Sequence, residues 1–191
     1  MYTVLRQNIL KKVPFTEADF QQLEAIAEPI TCGRKHVLQQ PGKIATHTYF
    51  VMAGSVRAYT VDEKLQEHVV QLSFESNWIG DLYSLVTQTN SNIYIETIEP
   101  CQLLAFHQQQ LNTLYDTIPM MDRMMRLQFQ NALVATMRRL STTLQITAEE
   151  RYVQLVDSQP HIARRVPLLH IASYLGITPE SLSRIRKKLS K

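Results

Sequence analysis

Near the C-terminal end of its 191 residues, this chain gathers Thr178, Glu180, Ser181, Arg184, Arg186, Lys187 and Lys188. These side chains are equipped for recognition rather than for making and breaking bonds. An arginine can donate two hydrogen bonds to a guanine edge, a glutamate can accept one from cytosine, and clustered cations neutralise phosphates. At helical spacing Glu180, Arg184 and Lys187 share one face, with Leu182, Ile185 and Leu189 opposite. The pattern fits a helix seated in the major groove of double-stranded DNA. Glu180 and Arg184 would then meet bases, Arg186, Lys187 and Lys188 would meet phosphates, and Ser181 could serve either.

Such a helix needs something to hold it, and the preceding residues supply it. Thr178 is a good N-cap, Pro179 suits the first turn, and Glu180 complements the positive end of the helix dipole. Upstream, Pro167 opens a second helix in which Leu168, Ile171, Ala172 and Leu175 form an inward face. Gly176 permits the left-handed turn that ends it. Two short helices joined by a glycine-containing turn make a helix-turn-helix. An ordinary αα-hairpin could share the apolar pattern, but it would need neither polar groups opposite its core nor a basic end.

Charge follows the same division. Residues 161–191 hold seven basic residues, Arg164, Arg165, Arg184, Arg186, Lys187, Lys188 and Lys191, against the single acid Glu180, although the whole chain carries only +3. A basic terminal module on an otherwise mildly acidic chain is the footprint of a polyanion partner.

The first part of the chain has a different period. Residues 30–106 read as short strands, with alternation in Ser55 to Val61 and in His68 to Leu72 and a polar turn at Asp62-Glu63-Lys64. Tyr49 to Met52, Asn92 to Ile98 and Cys101 to Phe106 are further strands, punctuated by Pro41-Gly42, Gly54, Gly80 and Pro100. Many short, closely spaced strands predict a barrel or sandwich rather than alternating β and α units. Thr16 to Asp19, followed by Phe20, Leu23 and Ile26, predicts a capped helix before them.

From Pro119 apolar residues recur every three or four positions: Met121, Met125, Phe129, Leu133, Met137, Leu140 and Leu144, widened by Met124, Leu127 and Val134. A helix this long offers more apolar surface than one small barrel covers, so a second copy of itself is the expected partner. The alternative is a helix packed wholly on its own barrel. The expected interface residues are Met121, Met125, Phe129, Leu133 and Met137. Thr147 to Glu150 form a capping box for another helix, which Pro160 ends. The resulting division is 1–118 for the β-rich domain, 119–144 for the dimerisation helix and 145–191 for the DNA-binding domain.

Other functions find little support. There is no nucleophile–base pair, no clustered carboxylate motif and no metal-ligand spacing among the six histidines and two cysteines, so neither an enzyme nor a metal site is expected. Cys32 and Cys101 lie far apart in sequence, so they are expected to form neither a thiolate cluster nor a CxxC redox pair. No signal pattern and no membrane-length apolar run occurs, which predicts a cytoplasmic protein.

Val37 to Gly42, Tyr49 to Arg57, Trp78-Ile79-Gly80-Asp81-Leu82 and the terminal helix pair, in that order, resemble the Crp–Fnr family of bacterial transcription regulators. The resemblance covers nearly the whole chain. It implies an α+β fold: an N-terminal jelly-roll-like β-roll that resembles cyclic nucleotide-binding domains, a long dimerisation helix and a C-terminal helix-turn-helix. The chain ends just past the second helix, so the β-hairpin wing of many relatives is expected to be lacking. The resemblance also implies that a small effector in the roll repositions the reading helices. Its pocket would include Gly80, Asp81, Leu82, Ser91, Asn92 and, on the long helix, Thr136. The family's phosphate-binding arginine falls at Ser91, so an effector other than cyclic AMP is expected. Pro179 stands where a basic residue is common, so the resemblance does not extend to the preferred DNA sequence.

The expected function is therefore a homodimeric regulator that reads an inverted-repeat operator under control of an unidentified small molecule. The alternative is a ligand-binding or interaction module that has lost DNA reading.

Overall fold

A computed structural model describes residues 1–189; Ser190 and Lys191, the latter one of the seven C-terminal basic residues, lie outside the described residues. Two short helices come first, α1 (Thr3–Leu10) and α2 (Glu17–Ala25). Thr16 caps α2 as its spacing predicts, accepting from the Asp19 N–H while Asp19 accepts from the Thr16 N–H. The strands are β1 (Ala27–Cys32), β2 (Val37–Gln39), β3 (His47–Ala53), β4 (Val56–Val61), β5 (Glu67–Ser73), β6 (Trp78–Ile79), β7 (Tyr94–Thr97) and β8 (Cys101–His107), with the one-turn-and-a-half helix α3 (Leu82–Thr87) after β6. Then come α4 (Gln108–Thr117), the 27-residue α5 (Pro119–Gln145), α6 (Ala148–Ser158), α7 (Ile162–Arg165), α8 (Leu168–Leu175) and α9 (Pro179–Leu189).

The strands build two four-stranded sheets, ordered β1-β8-β3-β6 and β2-β7-β4-β5. One apolar cluster joins Val51, Val56, Ala58, Ile79, Ile95, Leu103 and Ala105 of the strands. A second gathers Phe50, Trp78, Leu104 and Phe106 with α1, α2, α4 and the start of α5. Alternate residues of β3 and β8 therefore feed both clusters, which explains why these strands read as nearly continuous apolar runs.

The chain divides into two compact units. The first holds residues 1–58 and 72–131; the second holds the described residues from 132 onward together with the far end of the β4–β5 hairpin, residues 59–71. In that hairpin Asp62 Oδ1 accepts from the N–H groups of Lys64 and Gln66, which fixes the polar turn.

Two sequence expectations need correction. The apolar stripe of α5 is not uniform. Met121, Met124 and Met125 are buried in the chain's own core, and Leu127 packs against it. Met121 and Met125 thus have no surface left for a second copy. From Phe129 onward the stripe is uncovered: Leu133, Val134, Met137, Leu140 and Leu144 are all more than half exposed. Cys32 and Cys101, remote in sequence, are direct partners in the antiparallel β1–β8 ladder.

Candidate functional site

In α8 the buried residues are Ile171, Ala172 and Leu175; Leu168, expected on the same face, is largely exposed at the helix start. Gly176 ends α8 at φ 69°, the left-handed conformation that only glycine adopts without cost. Its N–H donates to the Ser173 carbonyl and that of Ile177 to Ala172, closing the turn. From α9, Leu182 is fully buried and Ile185 half-buried against this frame, whereas Leu189 is exposed. Arg151 of α6 adds a tie, donating from Nη2 to the Leu175 carbonyl at 3.2 Å.

This frame leaves the polar side chains of α9 at the surface. Thr178 caps α9, its Oγ1 accepting from the Ser181 N–H at 3.2 Å. Glu180 is exposed, and its carboxyl is held below the usual glutamate range, first by a backbone N–H of its own residue and then by the Thr178 hydroxyl. It is an anion and an acceptor. Arg184 is exposed and donates from Nη2 to Ser181 Oγ at 3.3 Å, a contact weak enough to exchange for a base edge. Lys187 and Lys188 are exposed at the helix end; Lys188 Nζ reaches Glu149 Oε2 at 2.7 Å. That pairing was invisible in the sequence, because Glu149 lies on another helix. Arg186 is half-buried.

The hairpin tip meets this module. Ser173 of α8 donates its hydroxyl to the Glu67 carbonyl at 2.7 Å and accepts from the Val69 N–H at 2.9 Å. A groove of about 750 Å³ runs beside that contact, between Leu65 to His68 and the turn residues Gly176 to Glu180. Sequence reasoning missed Ser173 because a lone serine at mid-helix carries no signal of a partner on a distant strand.

In the other unit, Gly80, Asp81, Leu82, Ser91 and Asn92 lie around α3. Asp81 caps that helix, Oδ1 accepting from the Ser84 N–H at 3.2 Å. Its Oδ2 is buried with no hydrogen-bond partner among the described residues. Ser91 is buried and occupied locally: its hydroxyl donates to the Ile93 carbonyl and accepts from the Ile93 N–H, both at 3.1 Å. Leu82, Tyr83 and Val86 expose apolar surface on α3. Thr136 belongs to the second unit, where it is exposed and donates to the Ala132 carbonyl. Among the described residues no group of three or more His, Cys, Asp or Glu side chains could hold a metal ion, and no helix is long and apolar enough to cross a membrane.

Known proteins agree with this architecture. Residues 30–117 match the model of the cyclic nucleotide-binding domain. The Anaerobic regulatory protein of Haemophilus influenzae is 22% identical over 195 residues, covering 94% of this chain and 74% of that protein. The c-di-GMP responsive global regulator CLP of Xanthomonas campestris superposes with a TM-score of 0.73 at 18% identity, covering 92% of both chains. FixK2 from Bradyrhizobium japonicum gives 0.75 at 16% identity, over 86% of this chain and 85% of that one.

The chain carries a cyclic nucleotide-binding domain and shares its fold with Crp–Fnr regulators. The proteins it is similar to are regulators, and several of them are Crp–Fnr transcription regulators. The α+β class, with strands first and helices last, is that of the family's solved structures. Among the described residues the Ser91 hydroxyl bonds its own loop. Asp81 keeps a buried oxygen that accepts no hydrogen bond among the described residues.

Proposed function

We propose that this protein is a homodimeric, sequence-specific DNA-binding regulator whose reading helix is α9 and whose activity responds to a small effector in the β-roll. The observation that carries the reading is the helix-turn-helix itself. Its inner positions are apolar and closed, while Glu180, Arg184 and Lys187 stand on the open face at the spacing a major groove accepts. Thr178, Ser181, Arg186 and Lys188 complete the interface.

Dimerisation through the second half of α5 is supported by the uncovered run Phe129, Leu133, Met137, Leu140 and Leu144. Such a stripe on a helix is costly to leave in water, and a two-fold pairing would bury it. Two reading helices would then face two half-sites about one helical turn apart, so the operator is an inverted repeat.

The effector pocket centres on Asp81, with Gly80, Leu82, Ser91 and Asn92. The unmatched Asp81 Oδ2 favours a ligand that donates there, such as a hydroxyl. Ser91 supplies no positive charge, so the ligand is not cyclic AMP. The Ser173 contact to the hairpin offers a mechanical path, since it ties strands of the roll to the helix that braces α9. The working place of such a regulator is the cytoplasm, and its part in the cell is to bind rather than to catalyse.

Mobility shift against genomic fragments at two salt concentrations tests the reading. A regulator gives a competitor-resistant complex on particular fragments. A module without DNA function gives none.

A further inference from the structure

Cys32 closes β1, Cys101 opens β8, and together they form the last pair of the β1–β8 ladder. Both are free thiols. Opposed residues in antiparallel strands have Cα atoms about 4.5 or 5.5 Å apart, inside the window of roughly 4.4–6.8 Å that a disulfide spans. Their Cβ atoms stand about 4.5–5.5 Å apart, somewhat beyond the usual disulfide mean of about 3.8 Å. Closing the bond therefore needs a small shift, which a ladder's end can make, and leaves a strained link that is easily reduced. The two side chains are already neighbours: Cys32 Sγ lies 4.0 Å from the Cys101 carbonyl oxygen.

Access is unequal. Cys32 adjoins the exposed run 33–37. Cys101 is sealed beneath Gly54, where an added Cβ would stand 2.5 Å from its sulfur. An oxidant therefore meets Cys32 first, and Cys101 is placed to resolve the product.

We propose that Cys32 and Cys101 are an oxidant-responsive pair that closes to a cross-strand disulfide when a hydroperoxide reaches Cys32. The Cys32 thiolate attacks the peroxide, the O–O bond breaks, and sulfur becomes a sulfenic acid while water or an alcohol departs. The Cys101 sulfur then attacks the Cys32 sulfur. The S–S bond forms, the S–O bond breaks, and hydroxide leaves as water with the Cys101 proton. Two thiols are oxidised, one hydroperoxide is reduced, and a thiol reductant reverses the change.

Burial raises both thiols above their usual range, Cys101 to about 11, with its neighbour Cys32 the second cause. Closure is accordingly slow at neutral pH and accelerates as pH rises, because the thiolate is the nucleophile. It also has a structural consequence. The Cys101 thiol donates to the carbonyls of Ser55, at 3.4 Å, and Glu99, at 3.2 Å. Losing its proton abolishes both bonds and loosens the turn from which β4 starts.

The test uses the full chain, folded, treated with excess hydrogen peroxide, then denatured in iodoacetamide and weighed intact. The expected product is monomeric, unalkylated and lighter by two hydrogens, and dithiothreitol restores two alkylation sites. In Cys32→Ser, Cys101 should remain alkylatable after peroxide. Peptide mapping of the wild type should show residues 32 and 101 linked, which keeps the proposal testable if that variant fails to fold. Two alkylated cysteines after treatment, a sulfinic acid on one with the other free, or linkage only between chains would each overturn it.

Discussion

Arg57 and Glu96 form an ion pair inside the roll: Arg57 Nη2 donates to Glu96 Oε1 at 2.9 Å and Nε donates to the same oxygen at 3.3 Å. Arg57 is almost fully buried and Glu96 nearly so. The guanidinium on β4 is thereby committed to the carboxylate on β7. Moving it to a ligand would break a buried ion pair, a change that costs several kcal/mol.

Cyclic AMP consequently finds no free cation at Ser91 or at Arg57. Ser91 is neutral and turned to its own loop, and Arg57 already has its partner. Titration calorimetry should detect no saturable binding of cyclic AMP in the micromolar range. Serine-to-arginine exchange at the family position, Ser91→Arg, is the converse test and should create measurable affinity. Tight binding by the wild type would mean that the pair opens.

The two halves of α5 should respond differently to charge. Leu133→Glu with Met137→Glu falls on uncovered surface, so each protomer should fold, while sedimentation shows monomers. Met121→Glu places a charge in a closed core, and there the protein should fail to fold. If the double variant stays dimeric, the interface lies elsewhere.

Lys187 and Lys188 should not contribute equally. Lys188 must leave Glu149 to meet a phosphate, whereas no ion pair holds Lys187 among the described residues. Lys187→Ala should weaken all DNA sequences alike and reduce the salt slope by about one unit for each phosphate it no longer neutralises. Lys188→Ala should do less, and Glu149→Gln should strengthen binding. Affinities at three salt concentrations measure both effects. Equal losses from the two lysines would show the Glu149 pair to be irrelevant.

The capping box of α6 predicts an acid limb. Glu150 is held below its usual range first by the Thr147 N–H and then by the Thr147 hydroxyl, each 2.8 Å from Oε2. A depressed carboxylate stabilises the fold above its unfolded pKa, and that stability is lost as pH falls through the folded pKa. Glu150→Gln should flatten this limb in melts taken across the acidic range. An unchanged limb would exclude the box as its source.

Local patterns carried the helical half of the molecule. Thr16, Thr147, Thr178 and Gly176 announce helix ends because capping acts over three or four residues, which a sequence displays directly. Strand positions were also legible from alternation, yet their pairing was not. Nothing in the sequence near Cys32 tells that β8 will lie beside β1, because the order β1-β8-β3-β6 joins strands far apart in the chain. Periodicity likewise marks an apolar face without saying what covers it. Met121 and Leu133 look alike in the stripe of α5, but α1, α2 and α4 close over the first and not the second. The helix α4 offered only Leu111 and Leu114 as buried positions, too few to set a period. Asp81 was found through resemblance, whereas its unmatched oxygen required coordinates.

The central claim is that α9 reads bases through Arg184. Arg184 lies outside the Leu182–Ile185 packing, so Arg184→Ala should keep the stability of the wild type within the small range of surface changes. Selection from random DNA, run on both proteins, measures the rest. The wild type should enrich an inverted repeat with half-sites about one helical turn apart. The variant should lose preference at one base pair per half-site, a loss of about 1–3 kcal/mol of discrimination. Selection of the same repeat by Arg184→Ala with undiminished stringency, or of no repeat by the wild type, would contradict the account.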